Sequence, residues 1–184
     1  MVGTNIIFLN GVSSSGKTTI AKELQSILDS SYIHLSFDNF LKMAPQRFLE
    51  AEGIIWDETP LDNIIPQVTP PTTYYALASG FHHAVAAFAE RGNNVIVDHV
   101  LKEKWWAVEC QALFKPFNTI FVGVHCPIEQ LEIREKERGD RPVGLARFQL
   151  KTVHLYITYQ VEVDTYLNSP QECATKIWQY LAKA

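Results

Sequence analysis

The sequence predicts a single α/β domain built on a parallel sheet with helices on both faces. Three observations carry the prediction. Strand-like runs alternate with helical segments, apolar stripes recur at helical spacing, and a glycine-rich turn joins the first strand to the first helix. With 184 residues the chain is long enough for one sizeable core and short for two, so one active centre is expected.

The strand-like runs fall at residues 6–9, 32–35, 95–97, 119–124 and 160–163. Between them, Ile20, Leu24, Ile27 and Leu28 form one apolar stripe. Leu77, Phe81, Ala84, Val85 and Phe88 form another, ahead of the helix stop RGNN. After the last strand, Ser169, Pro170 and Glu172 supply an N-cap, a proline at the first helical position and a capping-box acid. They precede Ala174, Ile177, Trp178 and Leu181, a further helical stripe. The rhythm breaks at residues 41–71, where Pro45, Pro60, Pro66, Pro70 and Pro71 interrupt any period. An insertion over about 41–75 is expected above the carboxyl edge of the sheet, where ligands of open α/β sheets bind.

The composition, 47% hydrophobic and 20% charged, is that of an ordinary globular chain. Its formal charge of −4, with no Lys/Arg-rich stretch, argues against nucleic acid and against an anionic membrane as partners. A small hydroxyl-bearing acceptor fits better. Cys110, Cys126 and Cys173 are odd in number and form no CxxC, so buried thiols are expected rather than disulfides or a zinc site. No charged leader and no membrane-length apolar run occurs in the sequence, which gives a cytoplasmic expectation.

The run Gly11-Val12-Ser13-Ser14-Ser15-Gly16-Lys17-Thr18 fits G-x-x-x-x-G-K-[ST], the Walker A pattern, and Thr19 follows it. The glycines let successive N–H groups turn inward around phosphate oxygens, and the helix N-terminus adds partial positive charge. Lys17 is expected to reach the β- and γ-phosphates of ATP, and the Thr18 hydroxyl to ligate Mg²⁺. The bland alternative is a solvated Gly/Ser turn before a helix. The strand before the pattern and the amphipathic helix after it favour the nucleotide.

Two carboxylates stand at the same sheet edge. Asp38, in HLSFDNF, is placed either to orient and deprotonate an acceptor hydroxyl or to cap the following turn. Asp98, in NVIVDHV, is placed either to support Mg²⁺ or to cap its strand end, and His99 beside it reads as a packed residue. In REKERGDR, Arg134 and Arg138 share a helix face before Gly139 ends it, and Arg141 follows. They suit a lid, about residues 134–147, carrying guanidinium groups to the transferring phosphate, or else a solvated face paired with Glu132, Glu135 and Glu137. The insertion holds Glu50, Glu52, Asp57, Glu58 and Asp62 against Lys42 and Arg47, which disfavours an already phosphorylated acceptor and an RNA end. Phe40, Phe48, Trp56, Tyr74 and Tyr75 are pocket candidates, as readily core.

Taken together, the phosphate loop, HLSFDNF, VIVDHV, FVGVHCP, ERGDR and YQVEVDT with SPQECA resemble the chloramphenicol phosphotransferase family of P-loop kinases. The resemblance implies a three-layer fold with a five-stranded parallel sheet in kinase-like order and a mobile lid. It also implies ATP-dependent phosphorylation of an antibiotic's primary hydroxyl, with Asp38 as the activating carboxylate, Lys17 on the phosphates and Arg138 and Arg141 in the lid. Two departures stand out: Asp98-His99 occupies the place where the family often has two acids, and residues 41–75 differ from the family pattern. A kinase of another hydroxyl metabolite and a nucleotide-dependent switch are the alternative functions. ATP and GTP fit the loop equally well, and oligomeric state is left open.

Overall fold

The computed structural model describes residues 3–47, 72–139 and 144–183. The expected insertion lies mostly outside them, as do Phe48, Trp56 and Arg141. The elements alternate along the chain: β1 (Asn5–Asn10), α1 (Lys17–Ile27), β2 (Tyr32–Ser36), α2 (Phe37–Leu41) and α3 (Thr72–Glu90) come first. Then follow β3 (Asn94–His99), α4 (Lys104–Phe114), β4 (Asn118–His125), α5 (Ile128–Arg138), α6 (Leu145–Gln149), β5 (Val161–Asp164) and α7 (Pro170–Leu181).

The five strands are all parallel, in the order β2-β3-β1-β4-β5. Because side chains alternate along a strand, β1 sends Ile6 and Phe8 to one face and Ile7 and Leu9 to the other, all four fully buried. The first face packs against α3 and α4 through Ala78, Phe81, Val85, Trp106 and Phe114. The second packs against α1 and α7 through Ile20, Leu24, Ala174 and Ile177. A third cluster, with Val12, Leu131, Ala146 and Val153, fills the space between the phosphate loop, α5 and α6. All three cysteines are free and buried.

Three details differ from the sequence expectation. Phe88 belongs to the predicted stripe of α3 yet is 40% exposed, because the buried face is carried by Ala78, Phe81, His82, Val85 and Ala89 instead. Leu28 sits past the end of α1 as its C-cap. The last strand begins one residue later than predicted, at Val161, and Gln160 before it is tied to Phe121 by its own N–H, which donates to Phe121 O at 3.0 Å, and by its side-chain oxygen, which accepts from Phe121 N–H at 2.7 Å.

The predicted α7 cap is present in full: Ser169 Oγ accepts from Glu172 N–H, and the Glu172 carboxylate accepts from Ser169 N–H. A second cap was not legible in the sequence. Glu135 is fully buried on α5, and its two oxygens accept the N–H groups of Gly144 at 2.9 Å and Ala146 at 2.7 Å, tying the start of α6 to α5. That corrects the solvated-face reading for Glu135, whereas Glu132 does pair with Arg147 at 2.7 Å. Removing Ser169 Oγ (Ser169→Ala) should cost about 1 kcal/mol of unfolding free energy in urea. Glu135→Ala strands two buried donors and should cost about 1–3 kcal/mol, the larger of the two.

Candidate active site

The chain leaves β1 at Asn10, whose buried side chain fixes the ground beneath the loop. Its Nδ2 donates to Val153 O at 2.8 Å and Tyr159 Oη at 2.7 Å, and its Oδ1 accepts from Leu101 N–H at 2.8 Å. Gly11 follows at a point of close approach, where a Cβ would lie 2.5 Å from Val124 O. The loop then turns through left-handed backbone at Ser14 (φ 60°) and Gly16 (φ 92°), and α1 starts at Lys17. The glycine at the second position carries that conformation without steric cost.

On the inner side of the loop three residues converge. Lys17, 7% exposed, donates from Nζ to Val12 O at 2.8 Å and stands 3.7 Å from Asp98 Oδ1. The Thr18 hydroxyl donates to Asp98 Oδ2 at 2.6 Å. His34 Nε2 lies 3.7 Å from the same oxygen, too far for a hydrogen bond. Burial opposes ionisation of Asp98, but the Lys17 ammonium, with His34 and Thr18, outweighs it and holds the carboxyl below its ordinary pKa. The Asp98 oxygens thus face the first turn of α1.

The outer side of the loop is tied down by residues that the loop motif does not contain. Arg134 donates to Thr165 Oγ1 at 3.0 Å, Thr165 O at 2.9 Å and Ser14 O at 3.4 Å. Thr165 in turn donates its hydroxyl to Ser15 O at 2.9 Å. Ser13 N–H donates to Gln149 Oε1 at 2.6 Å, a contact from α6 that no sequence pattern announced. Thr165 does fall within the VEVDT segment that carries the resemblance, so a signal for it existed.

Asp38 lies half-buried in the first turn of α2. Ser36, not Asp38, occupies the N-cap position, and Ser36 pairs in register with Asp98. The two acids thus share one edge. Beside them, Tyr74 packs on Phe37 and Trp106 at ring separations of 5.8 and 5.6 Å. Burial, then the Asp38 charge, raises the Tyr74 pKa and keeps the phenol protonated. Lys102 Nζ sits 4.6 Å over the Tyr74 ring, its pKa lowered by burial. Phe40 and Tyr75 also pack against this aromatic core. Of the arginines, Arg138 is exposed at the end of α5, and Gly139 (φ 66°) stops the helix as expected.

His99 turns away from the loop into the core. It stacks on Trp106 at 5.2 Å and 24°, and its Nε2 is 3.1 Å from His82 Nε2. His82 Nδ1 meets the Glu109 carboxylate. The fit of the site to a divalent cation rests on Thr18 and Asp98, two oxygens already 2.6 Å apart. Among the described residues no group of three or more His, Cys, Asp or Glu could hold a metal. A hard cation that keeps waters and shares substrate phosphates needs only one or two protein oxygens, so the donor set suits Mg²⁺.

Known proteins place this geometry. The solved structure of a sugar kinase from a Janibacter species shares the fold with a TM-score of 0.67 at 20% identity, covering 98% of this chain and 95% of its own. The APS kinase of Mycobacterium tuberculosis, solved in complex with AMPPNP and APS, superposes with a TM-score of 0.67 at 15% identity, covering 98% of both chains. At sequence level, the "Putative O-phosphotransferase" of Mycobacterium tuberculosis H37Rv is 31% identical over 179 residues, 94% of this chain and 80% of that protein. The family model for chloramphenicol phosphotransferase-like proteins matches residues 4–182. With a P-loop kinase fold and a family match over nearly its whole length, the chain belongs to the chloramphenicol phosphotransferase-like family of kinase-like phosphotransferases.

Proposed function

We propose that the protein transfers the γ-phosphoryl group of ATP to a hydroxyl of a small molecule, an antibiotic such as chloramphenicol being the first acceptor to test. The observation that carries the reading is the clasp of Thr18 and Lys17 on Asp98, with Asp38 in the first turn of α2, two residues past the Ser36 that pairs with Asp98. Mg²⁺, held by Thr18 and Asp98, would supply charge neutralisation between the phosphates. Lys17 trades its bond to Val12 O for phosphate oxygens and offsets the charge that spreads as the phosphoryl group departs. Asp38 accepts or orients the proton of the acceptor hydroxyl, so that oxygen attacks as an alkoxide-like nucleophile. Arg138 and Arg141 are assigned to the closing segment, where guanidinium groups would stabilise transfer and exclude water.

The aromatic wall of Tyr74, Tyr75 and Phe40 beside Asp38 supports an acceptor with an apolar body and polar tips. A hydroxyl metabolite of the same shape is the alternative acceptor. Mass spectrometry of a panel of hydroxyl compounds with ATP and Mg²⁺, chloramphenicol included, separates them: the true acceptor gains one phosphoryl group, and Lys17→Ala abolishes the gain. Loss of ATP consumption in all acceptors, with wild-type protein, would overturn the kinase reading.

The Asp38 assignment has its own test. Asp38→Asn should leave nucleotide affinity within about twofold of wild type and cut kcat by about 10²-fold or more, read by coupled turnover and calorimetry. Asp98→Asn should act on the other side, raising the Mg²⁺ concentration needed for half-maximal rate. An Asp38→Asn protein at full rate would remove it from the mechanism.

A further inference from the structure

The contact between Ser13 N–H and Gln149 Oε1, at 2.6 Å, is short enough to count among the firm hydrogen bonds of the site. Ser13 is the second of the four variable residues in the G-x-x-x-x-G-K-T loop, a segment whose backbone donors serve phosphate oxygens. In this structure that donor is spent on a neutral amide carbonyl from α6. The loop's other principal donor is engaged internally as well, because Lys17 Nζ is bonded to Val12 O. Gln149 is half-buried.

We infer that Gln149 is an internal stand-in for a phosphate oxygen, a latch that an incoming triphosphate must displace from Ser13. A carbonyl dipole is a weaker partner for an N–H than a charged phosphate oxygen, so the nucleotide wins the exchange while the latch lowers its apparent affinity. The place of Gln149 in the fold gives the exchange a consequence. It is the last residue of α6, whose first turn is held by buried Glu135 of α5, so the side chain reports loop occupancy to the element that borders residues 140–143. The backbone of α6 stays seated, since Ala146 and Val153 pack on Val12 in the cluster beneath the loop.

The inference rests on the nucleotide-binding reading above and is tested with AMPPNP and Mg²⁺ on the full chain, by calorimetry and by ¹H–¹⁵N spectra. Gln149→Ala removes the competitor and should bind AMPPNP about two- to tenfold more tightly than wild type, the range of one net hydrogen bond. Its Ser13 amide resonance should move in the free protein and coincide with wild type in the bound one. Gln149→Glu keeps the acceptor oxygen, strengthens the latch by charge and places an anion beside the triphosphate; it should bind about tenfold more weakly. A residue serving only to hold the loop in shape would instead weaken binding in the alanine variant. Alanine-variant affinity equal to or below wild type overturns the latch while leaving the kinase reading intact. Absence of AMPPNP binding by wild-type protein overturns both.

Discussion

The architecture depends on a buried carboxylate meeting two donors at the carboxyl edge of the sheet. Asp98 ends β3, Thr18 and Lys17 open α1, and their contacts join the strand beside β1 to the helix that follows it. Burial alone would favour a neutral acid there, and the Lys17 ammonium reverses that preference. Such a pair is costly to desolvate and would be a poor choice for stability alone. Under the proposed function those charges serve a triphosphate that carries more charge than either.

Around that clasp the fold divides its labour between the two faces of the sheet. The side facing α1 and α7 is built from aliphatic residues, Ile7, Leu9, Ile96, Val122, Val163 and their helical partners, which hold the loop's base in one position. The side facing α3 and α4 is rich in aromatic rings, among them Phe8, Phe37, Phe81 and Trp106, and the candidate acceptor residues grow out of it. The two faces therefore differ in packing chemistry, aliphatic beneath the loop and aromatic beside Asp38. Aromatic rings offer large contact area with few rotatable bonds, an economical way to shape a pocket.

Much of the fold was legible because it rests on short-range periods. Apolar residues at strand and helix spacing marked all five strands and most of the buried faces of α1 and α7, Trp178 of the predicted α7 stripe being 38% exposed, and Ser169 with Glu172 announced its own cap. The loop was legible because glycine, lysine and threonine are demanded locally by its geometry. Where the reading fell short, distance along the chain is the reason. Gln149 is 136 positions from the Ser13 it contacts, and Arg134 is 31 from Thr165; nothing within a helical period reveals such partners. Glu135 was misread because a charged residue on a polar helix ordinarily faces water, and only the arrival of α6 buries it. Phe88 failed for the opposite reason, since α3 turned its smaller residues inward.

The stacking of Trp106 on His99, with Tyr74 and Trp105 packed alongside, groups two indoles on the aromatic face of the sheet. Trp106 is completely buried and Trp105 is 39% exposed at the same place, so one indole senses the dry interior and its neighbour the rim. Trp178 lies on the opposite face of the sheet, in α7, as an internal reference. Under the proposed function, an acceptor bound beside Asp38 would change the surroundings of Tyr74 and, through it, of Trp106, so its arrival is expected in the protein's own emission.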